Sequence, residues 1–103
     1  MEIVLIDEFN VPPAAREAFL ERARGVQTFL RTLPGFVEGH LYERTQGEAS
    51  DFVTTAVWRD EAAYRNARDQ AAQEFERQGL DPAEFREKNH ITARRGLFQR
   101  SSY

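Results

Sequence analysis

Apolar residues recur along the chain at spacings that switch between those of strands and those of helices. Ile3 to Phe9 opens with four consecutive apolar residues, which predicts a strand that is apolar on both faces. Behind Pro12-Pro13, apolar residues follow one another at helical steps, which predicts a helix with one apolar stripe. That stripe consists of Phe19, Ala23, Val26, Leu30 and Leu33. The turn Leu33-Pro34-Gly35-Phe36 ends the helix.

The middle of the chain predicts a β-hairpin. Phe36 to Thr45 mixes apolar and polar residues at short range, and Asp51 to Trp58 is rich in β-branched and aromatic residues. Both compositions favour strands. The polar residues at 46–50 predict the turn that connects them. The second strand of this hairpin carries apolar residues on both of its faces.

Two helices and a strand are predicted after the hairpin. Asp60 has the position of an N-cap, and apolar residues recur behind it at helical steps as far as Gly79. The run from Asp81 has the cap, first-turn proline and third-position glutamate of a short helix over residues 82–88. Ile91 to Gln99 is the predicted last strand.

The predicted elements follow the order strand, helix, strand, strand, helix, strand, with one short extra helix before the end. This βαββαβ order is that of a ferredoxin-like α+β fold with a four-stranded antiparallel sheet. The 103 residues match the typical length of one domain, and no linker or repeat divides them. The sequence therefore predicts a single domain over residues 1–103.

A count of sheet faces predicts a homodimer. Two helices cover one face of a four-stranded sheet, and the other face of a monomer is expected to be polar. The first and third strands are instead apolar on both faces. Sheet-to-sheet packing of a second copy of the chain is the simplest cover, since twofold dimers are the commonest homo-oligomers.

Composition narrows the class of protein. The chain has 17 acidic and 14 basic residues and a net charge of −3, which argues against nucleic-acid binding, including an RNA-binding sheet on the same strand order. It has no cysteine, which favours a reducing compartment, and no apolar run of about 20 residues that would cross a membrane. We therefore expect a cytoplasmic protein with neither nucleic acid nor membrane as a partner.

Three short motifs resemble one known family. They are Val11-Pro12-Pro13 followed by Phe19, the Leu33-Pro34-Gly35-Phe36 turn, and the segment from Trp58 to Tyr64. In this order, over residues 3 to about 70, they resemble the antibiotic-biosynthesis monooxygenase domain, whose fold is the dimeric α/β barrel. The resemblance supports the fold more directly than the reaction, because the motifs are partly structural.

The resemblance implies a chemistry that needs no cofactor. In the family's oxygenases an electron-rich aromatic substrate gives up a proton and reacts with dioxygen, while the protein supplies a dry aromatic pocket and groups that stabilise the anion. A phenolic or quinol-like substrate and no cofactor or metal are therefore expected. The haem-degrading members carry a histidine ligand in the second helix, and this chain has none between Asp60 and Gly79.

Three residues are candidates for catalysis. Trp58 matches the family's tryptophan at the end of the third strand, although a core anchor is the alternative. Asp7 stands where several members carry asparagine. If its carboxylate is unpaired, it would accept a proton from the substrate. The alternative is that Asp7 pairs with an arginine or is exposed to solvent. His40, predicted to share a strand face with Phe36 and Tyr42, is the best general base by residue type, with a solvated or dimer-edge face as the alternative.

Three aromatic residues are candidates for substrate binding. They are Phe9 and Phe52 on the first and third strands, and Tyr64 at the family's aromatic position in the following helix. Of the adjacent Arg94 and Arg95, at most one can face a site, because neighbouring strand residues point to opposite faces. A non-catalytic homodimer that binds a small molecule, or serves as a stress-associated barrel, is the alternative function.

Overall fold

The computed structural model describes residues 1–47 and 50–102 and confirms the predicted order of elements. A short 3-10 turn at Pro13–Ala15 precedes the first helix, and part of the predicted turn at 46–50, namely residues 48 and 49, lies outside the described residues. The elements are β1 (Ile3–Val11), α1 (Arg16–Leu30), β2 (Phe36–Glu43), β3 (Ser50–Trp58), α2 (Glu61–Arg77), α3 (Pro82–Lys88) and β4 (Thr92–Phe98).

The four strands form one antiparallel sheet in the order β2-β3-β1-β4. The two strands whose sequences are apolar on both faces, β1 and β3, lie at its centre, and Ile3 pairs with Trp58 across them. Central strands are the ones buried on both faces when a second layer covers each side of a sheet. The element order and this strand order confirm the ferredoxin-like α+β fold predicted from the sequence.

The helix starts follow the predicted capping chemistry. The Asp60 carboxylate accepts a hydrogen bond from the backbone N–H of Ala63 at 2.8 Å, and the Asp81 carboxylate accepts one from Glu84 at 3.1 Å. Each cap satisfies a donor that the first turn of a helix leaves free. Strand β1 runs two residues beyond the predicted Phe9 and ends at Val11, because the next residue, Pro12, has no N–H to donate to the sheet.

Gly35 is required by the turn between α1 and β2. Its φ is +81°, a left-handed conformation that side chains disfavour. A Cβ at this position would lie 2.4 Å from the Cβ of Ala63 on α2. The carbonyl of Gly35 accepts a hydrogen bond from the N–H of Arg59 at 2.8 Å. The turn thus fixes where β2 leaves α1 and how closely α2 approaches.

A β-bulge in β2 changes the face on which His40 lies. The pairing with β3 shifts between Phe36 and Glu38, so the side chain of Phe36 joins the helix-covered face while His40 and Tyr42 lie on the other face. A regular strand would have kept these three residues together, as the sequence predicted. That prediction is wrong, because a bulge adds one residue to one strand and reverses the alternation beyond it.

The core lies between the helices and one face of the sheet. It contains two clusters of buried residues, one around Phe19 and Phe52 and one around Trp58 and Tyr64. The opposite face of the sheet, called the open face below, carries no helix in the described part of the chain. Its apolar residues are Val4, Ile6, Val53, Val57 and Phe98. Within the same residues, no helix is both long and apolar enough to cross a membrane.

Candidate active site

A cavity of about 600 Å³ lies between the sheet and the helical layer. Its floor is formed by β1, β3 and β4, and its walls by residues of all three helices. The lining is mainly aliphatic and aromatic, with a few polar side chains among them. This size and composition are typical of a pocket for a small organic molecule.

Trp58 is both a core anchor and part of this cavity. The side chain is 1% exposed, and its ring meets the ring of Phe36 edge-on at a centroid distance of 5.4 Å. Its indole Nε1–H is buried and has no hydrogen-bond partner among the described residues. A buried donor without an acceptor costs free energy, and a ligand acceptor placed against this N–H would offset that cost.

Asp7 lines the cavity as half of an ion pair. Its two carboxylate oxygens accept hydrogen bonds from Nε and Nη2 of Arg95, at 2.8 and 3.1 Å. The residues are directly opposite one another on β1 and β4, and Asp7 is 8% exposed. This hydrogen bond raises the pKa of Arg95, although partial burial of the guanidinium opposes the shift. The carboxylate is thus paired with an arginine, the alternative that the sequence left open.

The two neighbouring arginines of β4 separate as strand alternation requires. Arg95 faces the cavity, where Asp7 engages only one edge of its guanidinium. Arg94 faces the open side, where it lines a shallower and more polar depression of about 390 Å³. Only one of them therefore reaches the cavity.

Two of the three predicted substrate-binding residues line the cavity. Tyr64, on the first turn of α2, is 9% exposed. Phe9 reaches the lining from β1 and packs against Phe19 at a ring distance of 5.0 Å. Phe52, paired with Phe9 across β1 and β3, is 1% exposed within the core and contacts Phe19 at a ring distance of 4.8 Å, so it supports the cavity rather than lining it.

His40 is not brought to the cavity. It lies on the open face with its side chain about half exposed, and its Nε2 is 4.0 Å from the Glu38 carboxylate. Its ring is 5.9 Å from that of Tyr42. Of the three candidates for catalysis, the structure therefore brings Asp7 and Trp58 together and leaves His40 across the sheet.

Several polar residues of the lining were not singled out from the sequence. Arg22 and Gln27 come from α1, Arg68 from α2 and Arg86 from α3. Arg22 could have been found, because it stands three residues after Phe19 and therefore borders the apolar stripe of its helix. Among the described residues, no three side chains of metal-ligating type come together.

The sequence matches one protein family over most of its length. The model of the antibiotic biosynthesis monooxygenase family matches residues 2–77. The chain belongs to this family. The match includes β1, β3 and α2, and so the strands and the helix that carry Asp7, Trp58 and Tyr64. It ends before Arg95, which belongs to the last strand.

Solved structures share the fold along nearly the whole chain. A variant of SnoaB, a cofactor-independent oxygenase from Streptomyces nogalater, is 25% identical, with a TM-score of 0.69 over 99% of this chain and 95% of that one. A putative monooxygenase from Shewanella loihica is 22% identical, with a TM-score of 0.71 over 99% and 96%. PA3566 from Pseudomonas aeruginosa is 19% identical, with a TM-score of 0.73 over 98% and 95%. No curated protein is significantly similar in sequence.

Proposed function

We propose that this chain is a cofactor-independent monooxygenase that acts on a small aromatic substrate, phenolic or quinol-like, in the cavity above the sheet. Membership of the family and the likeness to SnoaB support the reaction class. The aromatic and aliphatic lining supports the substrate class, because flat ring systems bury their faces against such walls.

The observation that carries the proposal is the unpartnered indole N–H of Trp58. Oxidation by dioxygen without a cofactor builds negative charge on the substrate, first as a phenolate and then as a peroxide. A fixed donor in a dry site stabilises such charge more than water does, because it needs no reorganisation. Trp58 is held by the ring of Phe36 and offers that donor.

The reaction balances without an external reductant. The phenol or quinol loses a hydroxyl proton, and a hydrogen-bearing ring carbon opposite or next to that oxygen gives electrons to dioxygen and forms a C–O bond. Protonation of the outer oxygen gives a hydroperoxide. Loss of the C–H proton then breaks the O–O bond, which leaves a quinone carbonyl and releases one water. The substrate supplies all the electrons for this step.

Asp7 and Arg95 have a joint role in this proposal. The Asp7 carboxylate holds Arg95 by two hydrogen bonds, so it positions a cation in the lining. The free edge of that guanidinium stabilises the phenolate and so favours loss of the hydroxyl proton. Phe9 and Tyr64 bind the ring, Phe52 supports Phe9 through Phe19, and His40 has no role at the cavity.

The proposed working unit is a homodimer that packs sheet against sheet. The open face places the partly exposed Val4, Ile6 and Val53 and the buried Val57 on the two central strands, and Phe98 beside them is 51% exposed. Large apolar patches on a soluble chain mark interaction surfaces. A second copy presents the same patch, so a twofold axis covers both at once.

The proposal is tested by the oxygen requirement of turnover. A panel of phenols and hydroquinones is incubated with the protein, and quinone formation and oxygen uptake are measured in air and under nitrogen. We expect one molecule of oxygen consumed per quinone formed and no turnover under nitrogen. Turnover that continues without oxygen, or an absence of turnover for ligands that bind, would contradict the reaction and favour the non-catalytic binding protein.

Trp58→Phe tests the assigned donor. This variant keeps an aromatic ring in the wall but removes the N–H, and we expect kcat to fall by about a hundredfold, the effect of losing one donor to a developing oxyanion. Arg24→Gln, on the exposed side of α1, is the matched control and keeps full turnover. An unchanged kcat in Trp58→Phe would remove the indole from the mechanism.

A further inference from the structure

The cavity has a charge opposite to that of the chain. Among the described residues that line it, the charged ones are four arginines and one carboxylate, Arg22, Arg68, Arg86, Arg95 and Asp7. Their formal balance is +3, whereas the whole chain carries −3. A concave site with walls of one sign concentrates ligands of the other sign. The lining therefore favours an anionic ligand over a neutral one.

Arg22 differs from Arg95 and Arg68, two other arginines of the lining, in what it contacts. Arg95 is paired with Asp7, and Arg68 lies 3.6 Å from the carboxylate of its neighbour Asp69. The guanidinium carbon of Arg22 instead lies 4.3 Å from the centre of the Phe85 ring, with no carboxylate of the described residues in an ion pair with it.

One nitrogen of the Arg22 guanidinium also lacks an acceptor. Its Nη2 is buried and makes no hydrogen bond to any described residue. A buried donor without an acceptor is costly, and more so when it belongs to a cationic group. The aromatic face of Phe85 offsets part of this cost but accepts no hydrogen bond in the plane of the guanidinium.

We propose that Arg22 binds the carboxylate of an aromatic acid and so selects carboxylate-bearing substrates for this cavity. The planar fork of a guanidinium matches a carboxylate with two parallel hydrogen bonds. The wall next to it is apolar, with Phe85 stacked on the guanidinium and Phe75 and Ala71 from α2 in the same lining, which suits an aromatic ring behind the carboxylate. The inference rests on the proposed function, since it names the substrate class of the same site.

The position of Arg22 suits an anchor rather than a reacting group. It comes from α1 and α3 supports it through Phe85, whereas Trp58 and the pair of Asp7 and Arg95 rise from the strands of the floor. A substrate held by its carboxylate on the helical side presents its ring to the strands. Arg22 is thus a residue for specificity, and Arg95 remains the cation assigned to the phenolate.

The test measures binding alone, so that it does not depend on turnover. The probes are 2-naphthoate and 2-naphthamide, which have the same shape and differ in charge, and which both lack the hydroxyl that the proposed oxidation needs. Affinities are measured near neutral pH by titration calorimetry and by fluorescence of Trp58, the only tryptophan of the chain. We expect the native protein to bind the acid about ten- to a hundredfold more tightly than the amide.

Variants assign that preference to Arg22. In Arg22→Gln the two probes are expected to bind within about twofold of each other, and in Arg22→Lys, which keeps the charge but not the fork, the preference is expected to be intermediate. Arg24→Gln, two residues along the same helix on its exposed side, keeps the native preference. Circular dichroism checks that each variant is folded.

Each result decides the proposal. Equal affinity of the two probes for the native protein, no binding of either, or a full preference that survives in Arg22→Gln would each overturn it. If Arg22→Gln does not fold, the Arg22→Lys variant and the native ratio still decide. Failure of the oxygen-uptake experiment with a normal naphthoate preference would overturn the proposed oxygenase and leave the anion site standing.

Discussion

The two faces of the sheet are similar in sequence but differ in structure. Both carry apolar residues on the central strands: Leu5 and Trp58 face the helices, and Val4 and Val57 face the other way. On the first face the helices cover the strands but stand away from part of them, which leaves the cavity. On the second face no element of the described chain covers the strands. Polar atoms without partners, such as Trp58 Nε1, occur at the cavity side.

The difference between the two faces shows that an apolar strand face predicts burial but does not specify what buries it. Alternation predicts that a face is covered, but both a packed core and a ligand cavity satisfy that prediction. The buried polar groups distinguish the two, because a packed core leaves few of them without partners. By that criterion we place the proposed site on the helical face, and the open face is where we propose the interface.

The largest expected effect comes from the packed part of the helical face. Phe52→Ala removes a side chain that is 1% exposed and contacts Phe19, and we expect it to lower the free energy of unfolding by about 3–5 kcal/mol. Urea denaturation measures this loss. Phe98→Ala, on the open face, is the matched control and is expected to cost under about 1 kcal/mol at low protein concentration, where the proposed dimer would dissociate. Equal losses would mean that the faces are packed alike.

The next effect concerns the open face. Ile6→Glu places a carboxylate at the middle of the proposed interface, and we expect dimer formation to weaken by about 2 kcal/mol or more, from lost apolar burial and from desolvation of the charge. Analytical ultracentrifugation over a concentration series measures the dissociation constant. Glu17→Gln, on the outer surface of α1, is a control that leaves it unchanged. A native protein that is monomeric at micromolar concentration would contradict the interface itself.

The smallest effect concerns the ion pair on the cavity floor. Asp7→Asn leaves one acceptor for Arg95 in place of two and removes the negative charge from the lining. Because the Arg95 side chain is about 59% exposed, we expect only about 1 kcal/mol loss of stability, near the range of surface pairs. Thermal unfolding measures it, and kcat/KM for a phenol reports the looser guanidinium. An increase in stability would mean that the pair is retained for function alone.

The fold was predictable from local patterns, because each element follows from its own residues. The capping carboxylates of Asp60 and Asp81 and the glycine of the Gly35 turn predict where elements begin and end, and the structure agrees within about three residues, the largest difference being the end of α1 at Leu30. The bulge after Phe36 was not predictable, since it depends on how β2 pairs with β3 rather than on a residue of its own. That single residue moved His40 to the other face.

The candidate site was predictable only in part. Strand alternation and the family resemblance identified Asp7 and Trp58, which the structure brings to one cavity. The partner of Asp7, Arg95, lies 88 positions further along the chain, and a sequence does not show which of two adjacent arginines faces inward until the register is known. The role proposed for Arg22 depends on its contact with Phe85, which joins helices that are far apart in sequence.

The chemistry of the lining also determines which side chains would be oxidised during repeated turnover. The chain contains no cysteine, and its one methionine, Met1, is 85% exposed and outside the cavity. A peroxide that escapes the proposed reaction therefore meets no sulfur in the wall, where thiols and thioethers are usually oxidised first. Trp58 and Tyr64 are the electron-rich side chains within its reach. Oxidative damage would thus accumulate on the rings that line the site, and each molecule would carry a record of its turnovers in the mass of the Trp58 peptide.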